Sequence, residues 1–347
     1  MRVFNVRNVN EALVLGLAAL KESGIDRPSR NGPVRMFPGS VTTTYERPKE
    51  RVIFFPERDA NPFFHFMEGL WMISGRNDVE WIGNYSSNIV NYSDNGVTFH
   101  GAYGDRWRKH FTFVEYDQPG AMHHAPIERV YKIDQLMTIV NCLKNNSDDR
   151  RTVLQMWDPT CDLGREGKDF PCNLTATFRI SPYGNLDMYV FNRSNDMIWG
   201  AYGANAVHFS MLQEVMAAWI GVPIGIYEQI STNFHAYHST LEKVSSLGNV
   251  FTAGFDEYSM GNHAPSPMVN TPIDEWFQDL DIFMTEGPVI GLRDPFFKKT
   301  VVPMYLAWQE WKSRDEKGFA DRAMKYANQI HATDWRQACV EWLERRT

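Results

Sequence analysis

The chain has 347 residues, 43% of them hydrophobic and 14% aromatic, which is enough to bury a large core and excludes a disordered polymer. Its net charge of −7 excludes a broad basic surface for nucleic acid but leaves room for a local arginine cluster around a small anion. Cys142, Cys161, Cys172 and Cys339 lack the spacing of a disulfide framework or a zinc site. No apolar run reaches the roughly 20 residues of a bilayer span. The N-terminus lacks a signal-peptide layout, so the expectation is a cytoplasmic protein with free thiols, no metal and no membrane partner.

In chain order, a first helix is expected from about Glu11 to Glu22, capped by Asn10 and ended by Gly24. Residues 29–39 (SRNGPVRMFPG) read as a loop rich in proline, glycine and basic side chains. Asn61-Pro62 opens a helix, FFHFMEGLWMIS, that is apolar nearly all round and stops at Gly75. An amphipathic helix follows from Asp134 to Leu143, and a strand from Thr152 to Trp157. Leu174–Ile180 and Leu186–Asn192 form a hairpin around Pro182-Tyr183-Gly184-Asn185. Ala206–Ile220 is a long apolar helix, Ile224–Phe234 a strand, and the chain from Pro303 onward reads as helical. The mixture predicts an α+β fold on a large sheet, with helical additions at the C-terminal end.

Four groups of residues could carry chemistry. Cys172, in DFPCN, sits beside Pro171 and Asn173, which suggest a strand edge or turn. Arg193 falls across the hairpin from it, where a guanidinium would favour the thiolate. A lone cysteine is more often a small core residue. Arg30, Arg193 with Ser194, and Arg150-Arg151 offer forked and hydroxyl donors suited to a phosphate monoester, although Arg150-Arg151 on their own read better as a solvated turn. Glu68 is a carboxylate on an otherwise apolar helix, which reads either as half of a buried pair with an arginine or as a proton relay. His235 and Tyr237 share one strand face and could read a sugar, or simply pack together.

The order and spacing of these stretches resemble the thymidylate synthase superfamily. The matching segments are SRNG at Arg30, MEGLW with Gly75, GAYGDRWR at 101–108, DDRR at 148–151, FPCN, RSND at 193–196, GAYGAN at 200–205 and HAY at 235–237. The resemblance implies a large mixed β-sheet flanked by helices, with the sheet packed in a homodimer. Residues 1–300 would form the catalytic domain and 301–347 a C-terminal helical extension. It implies that Cys172 adds to C6 of a pyrimidine nucleotide and makes C5 nucleophilic toward the carbon carried by 5,10-methylenetetrahydrofolate. Glu68 resembles the carboxylate that organises proton transfer, Tyr103 a tyrosine near the C5 proton, and Asp196 the carboxylate that contacts the folate ring. Arg30, Arg193 and Ser194 match phosphate ligands. Arg150 and Arg151 match arginines reaching the phosphate of the neighbouring subunit. Asn205 matches the amide that reads the base edge, and His235 and Tyr237 match ligands of the sugar hydroxyl.

Three departures bear on the product. Asn173 follows the nucleophile where thymidylate synthases usually carry histidine. The segment NIVNYSDNG at 88–96 has no tryptophan, and the chain ends in WLERRT instead of a short apolar tail. A wetter site favours water over hydride, which resembles the nucleotide hydroxymethylase branch. The expectation is therefore a 5-hydroxymethyl nucleotide from dUMP, dCMP or CMP. The alternatives are methylation with dihydrofolate as co-product, or a non-catalytic nucleotide- or RNA-binding relative. Asn205 can match uracil, or cytosine after an amide flip, so the base stays open. Enzymes of this branch often serve viruses that modify their DNA, acting in the host cytoplasm.

Overall fold

The computed structural model describes residues 1–116, 128–314 and 316–347. A six-stranded mixed sheet forms its centre. Its strands are β1 (Arg2–Val6), β4 (Val41–Tyr45), β7 (Val153–Gln155), β8 (Asn173–Ile180), β9 (Leu186–Asn192) and β11 (Ile224–Ser231), in the order β1-β4-β11-β9-β8-β7. A smaller sheet, β10-β12-β3-β2, joins Asn195–Asp196, Phe234–Tyr237, Val34–Met36 and Ile25–Arg27. A separate hairpin pairs β5 (Thr112–Tyr116) with β6 (Glu128–Lys132).

The expected elements form with a few corrections. Helix α1 (Val9–Ser23) is capped by Asn8, whose side chain accepts from the amides of Asn10 and Glu11. Asn10 instead ties the helix to the next segment, donating to the Val52 carbonyl and accepting from the Phe54 amide. The segment 29–39 is not all loop, because Val34–Met36 pairs on both sides as β3. The strand expected over 224–234 breaks after Ser231. Its continuation turns out of the large sheet and becomes β12, beside β10 and β3.

Helix α2 (Pro62–Ile73) starts as read, with Asn61 accepting from Phe64 N at 3.1 Å and Pro62 in its first turn. It is capped at Ser74, and Gly75 then takes a φ of +75°. The short helices α3 (Val79–Gly83) and α4 (Tyr103–Arg108) follow, then α5 (Gln135–Asn145), capped by Asp134. Helix α6 (Asn205–Ile220) is buried along most of its length and ends on Gly221, with φ +91°. The close approaches are made at glycines. A Cβ on Gly69 of α2 would lie 2.5 Å from Met211 Sδ of α6, and one on Gly104 of α4 would lie 2.3 Å from the Met72 carbonyl oxygen.

After α7 (His238–Lys243) come α8 (Ile273–Glu286), α9 (Val302–Lys312), α10 (Phe319–Ala327) and α11 (Thr333–Glu344). Aromatic rings carry α9 and α11 onto α2: Phe63 meets Trp308 and Trp342, and Phe66 meets Trp335 at 5.0 Å. One apolar core therefore runs from Phe4 to Leu343. No helix among the described residues is long and apolar enough to cross a membrane.

Candidate active site

The β8–β9 hairpin brings Cys172 and Arg193 together at its open end, where Arg193 N donates to the Cys172 carbonyl at 3.0 Å. The Arg193 Nε donates to the Pro171 carbonyl at 2.9 Å, so the guanidinium lies against the turn that carries the thiol. From the other side, Tyr103 at the start of α4 uses its hydroxyl to accept from the amides of Cys172 and Asn173, both at 3.1 Å. These contacts fix Cys172 at the wall of a cavity of about 860 Å³. Its lining also includes Arg30, Tyr103, Arg193, Ser194, Asp196, Asn205, His235 and Tyr237.

Arg193 favours the thiolate as expected, but burial outweighs it. Burial pushes the Cys172 thiol above its ordinary value, and the nearby Arg193 and Arg30 only partly oppose it, with the Asp169 charge adding to the rise. In the free protein the thiol is protonated at neutral pH.

A second chamber of about 180 Å³ adjoins the first, with Tyr92, Tyr103 and Asp169 lining both. Glu68 faces it from α2, with Ile89 and Tyr92 from the tryptophan-free segment. Burial, reinforced by the Asp169 charge, pushes the Glu68 carboxyl up to about 8. The partner of Glu68 is not an arginine. Glu68 Oε2 lies 3.2 Å from His208 Nε2 on α6, and that nitrogen is also 3.1 Å from the His65 carbonyl. Burial lowers His208 to about 3, so the contact joins two neutral groups.

Asp196 sits at the end of β10. Its Oδ1 accepts from Ile198 N at 2.8 Å and Trp199 N at 2.7 Å, while its buried Oδ2 has no protein partner. Beside it, Arg58 donates through Nε to the Ile198 carbonyl and stacks 4.2 Å over the Trp199 ring. Both of its terminal nitrogens are buried without a partner, and burial lowers the guanidinium to about 10. His235 Nδ1 lies 3.1 Å from Asn233 Oδ1, and its ring meets Tyr237 edge-on at 5.7 Å.

At the base of the cavity, Asn205 opens α6 and belongs to a run of amides. Asn173 Nδ2 donates to Asn205 Oδ1 at 3.3 Å, and Asn205 Nδ2 donates to Asn195 Oδ1 at 3.0 Å. Arg150 and Arg151 are the expected site residues that the structure keeps apart. Both are exposed just before β7, and Arg151 pairs with Asp149 at 2.7 Å. The sequence alone does not single out Arg58, Trp199, Asp169, Asn195 or His208. Asp169 and Asn195 stand inside or beside motifs named above, whereas Arg58 and His208 carry no local signal.

Elsewhere, His100, His110, Asp158, Cys161 and Asp162 gather as a potential ligand set. The buried Arg106 guanidinium already serves as their cation, 2.9 Å from Asp162 Oδ1.

Comparison with known proteins agrees with this arrangement. The sequence profile described as thymidylate synthase matches residues 20–249. A deoxyuridylate hydroxymethyltransferase of Pseudomonas phage M6 is 49% identical, covering 100% of this chain and 95% of its own. A protein of the same description from Bacillus phage SP01 is 37% identical over 57% of this chain and 49% of its own. A thymidylate synthase of Corynebacterium aurimucosum is 24% identical over 61% of this chain and 79% of its own. With the profile spanning more than half the sequence and a full-length relative at this identity, the chain belongs to the thymidylate synthase family.

Proposed function

We propose that this enzyme transfers a one-carbon unit from 5,10-methylenetetrahydrofolate to C5 of dUMP, and that water completes the reaction to give 5-hydroxymethyl-dUMP and tetrahydrofolate. The observation that carries the reading is that Cys172 lines the same cavity as phosphate-suited donors (Arg30, Arg193, Ser194) and an amide (Asn205). The choice of dUMP and of water is supported by the phage M6 relative, which matches the whole chain.

In this reading Arg30, Arg193 and Ser194 bind the phosphate, His235 and Tyr237 the sugar hydroxyl, and Asn205 the base edge. The Cys172 thiol passes its proton to water as the nucleotide docks, and sulfur then forms a bond to C6. The C5–C6 electron pair moves toward C5, which bonds the donated carbon. C5 then gives up its proton to water, the carbon parts from the donor nitrogen, which keeps the electron pair and takes a proton, and water adds to the exocyclic methylene as sulfur leaves C6. Tyr103, whose hydroxyl anchors the Cys172 turn, lies near the C5 proton. Glu68 is protonated and neutral, so it can donate as well as accept, and with Asp169 it holds water in the second chamber.

The folate fits beside Asp196. Asp196 and the half-exposed Trp199 indole both line the cavity, an acceptor beside a flat face, which suits a heterocycle with a donor edge. When bound there, it supplies carbon at the oxidation level of formaldehyde. Water access is supported by the polar segment 88–96, of which Ile89 and Tyr92 line the second chamber.

A homodimer in which Arg150 and Arg151 complete the partner's phosphate site is supported by their exposure and by their standing outside the lining of their own chain's cavity. A catalytic unit over 1–300 with a helical extension over 301–347 is supported by the thymidylate synthase profile, which matches 20–249 and leaves 301–347 outside it. The phage relatives support action in the cytoplasm of an infected host. The test is to incubate the enzyme with dUMP and methylenetetrahydrofolate and read the product by mass. A gain of a hydroxymethyl group, without the near-ultraviolet rise of dihydrofolate, is expected. A methylated product with that rise would replace this reading with thymidylate synthesis.

A further inference from the structure

The amides behind Asn205 run deeper than base recognition requires. The Ala201 carbonyl oxygen can only accept, and Gln229 Nε2 donates to it at 2.9 Å. The Tyr45 hydroxyl donates to the same carbonyl at 2.9 Å and accepts from Gln229 Nε2 at 3.1 Å. The amide of Gln229 is thereby oriented, and Oε1 is the atom it turns toward Asn195. Only a donor can meet Oε1, so Asn195 presents Nδ2 at 3.2 Å, shared with Ser231 Oγ at 3.1 Å. Asn195 must then offer Oδ1 to Asn205, whose Nδ2 donates at 3.0 Å. On the far side Asn205 Oδ1 accepts from Asn173 Nδ2. Asn195 and Gln229 are each 2% exposed, so no bulk water can rescue a reversed amide. A Cβ on Gly200 would come within 2.6 Å of Asn195 Oδ1, so the glycine leaves this junction its room.

We infer that Asn195 and Gln229, anchored on the Ala201 carbonyl, form a positioning relay that locks the Asn205 amide in one donor–acceptor order and so sets the choice of uracil over cytosine. The inference rests on the reading of dUMP as substrate and Asn205 as the base reader. With the base held by Cys172 at C6 and by its phosphate, uracil offers an acceptor (O4) beside a donor (N3–H). Cytosine offers the reverse. To read cytosine, Asn205 would have to flip, placing its Oδ1 against Asn195 Oδ1 in a buried site.

The test compares kcat/KM for dUMP and dCMP, together with calorimetric binding of each nucleotide alone, in the wild type and in Asn195→Ser, Asn195→Asp and Asn205→Asp. Asn195→Ser removes the lock and should lower the dUMP/dCMP ratio by at least about tenfold, equivalent to about 1.4 kcal/mol, through a gain in dCMP binding. Asn195→Asp, protonated on the oxygen that faces Gln229 Oε1 because only a donor can meet it, still presents an acceptor to Asn205, so its ratio should stay near that of the wild type. A merely structural role would weaken both nucleotides together and leave the ratio unchanged in Asn195→Ser, which overturns the relay. Asn205→Asp separates the two levels. If it shifts preference to dCMP while Asn195→Ser does not, the relay fails and the base reader stands. If Asn205→Asp shifts nothing, Asn205 does not read the base and the relay falls with it. Should Asn195→Ser not fold, Gln229→Met frees Asn195 to turn and should move dCMP binding in the same direction, with unchanged dCMP affinity counting against the relay.

Discussion

At the scale of single residues, the nucleophile is held back by its surroundings. Burial raises the Cys172 thiol, and Arg193 is the largest opposing influence. Alkylation of Cys172 by iodoacetamide should therefore titrate above the ordinary thiol value of about 8.5, and Arg193→Gln should move the midpoint higher still. A midpoint below the ordinary value, read from labelling rates against pH, would contradict the buried thiol. Cys172→Ser should keep the fold and lose turnover on the order of 10³-fold or more. Glu68 gives a second signature. Its folded value of about 8 exceeds the 4.5 of an unperturbed carboxyl, so the folded state holds the proton longer than the unfolded chain does. That contribution is complete below about 4.5 and is lost as pH rises toward 8. Across that window each step of one in pH lowers the folded-to-unfolded ratio roughly tenfold. Urea unfolding at pH 5 and pH 8 should show the wild type losing a few kcal/mol more than Glu68→Gln, and equal losses would mean that Glu68 is not protonated. Arg30, Tyr103, Cys172, Arg193, Asn205 and His235 are legible as cavity residues because each stands in a short motif whose order along the chain is itself a signal. The partner of Glu68 is not legible, since His208 lies on α6 and meets Glu68 only once α2 and α6 have packed.

At the scale of elements, helix starts can be read because caps are local: Asn61 and Asp134 each bond an amide three residues ahead. The end of β11 cannot be read, because nothing in the run from Ile224 to Phe234 announces that Phe234 will pair with Asn195 in another sheet. The close helix contacts lie between these cases. On Gly104 a new methyl would meet the backbone of α2, which cannot yield, whereas on Gly69 it would meet the flexible end of Met211. Gly104→Ala should therefore destabilise more than Gly69→Ala, on the order of 1–3 kcal/mol by urea unfolding. It should also lower kcat, because Tyr103 on the same helix holds the Cys172 turn. Equal costs for the two variants would show that α4 can move away from α2.

At the scale of the whole molecule, the large sheet is covered on one face, where Thr43, Gln229, Val190, Ala176 and Leu154 are buried. The alternate residues Thr44, Glu228, Tyr189 and Thr177, aligned across neighbouring strands, stay partly open. That face is where a second subunit would pack in the proposed homodimer. Mixing inactive Cys172→Ser with inactive Arg151→Ala should then restore up to about a quarter of wild-type activity, since one composite site regains both groups. No recovery after proven subunit exchange would confine each site to its own chain. Charge and composition foretell a large core and leave room for a small anion, but do not foretell this face, because a sheet face patterned for a partner resembles one patterned for water.

The Ala201 carbonyl has one more consequence. A peptide oxygen is present whatever side chain the codon specifies, so point mutation cannot erase the root of the amide chain. Lineages drifting toward cytosine cannot reverse the chain at its root and can only break it further along, at Gln229 or Asn195. The other step is at position 205 itself, where a carboxylate would satisfy Asn195 only by taking up a proton or forcing that amide to turn.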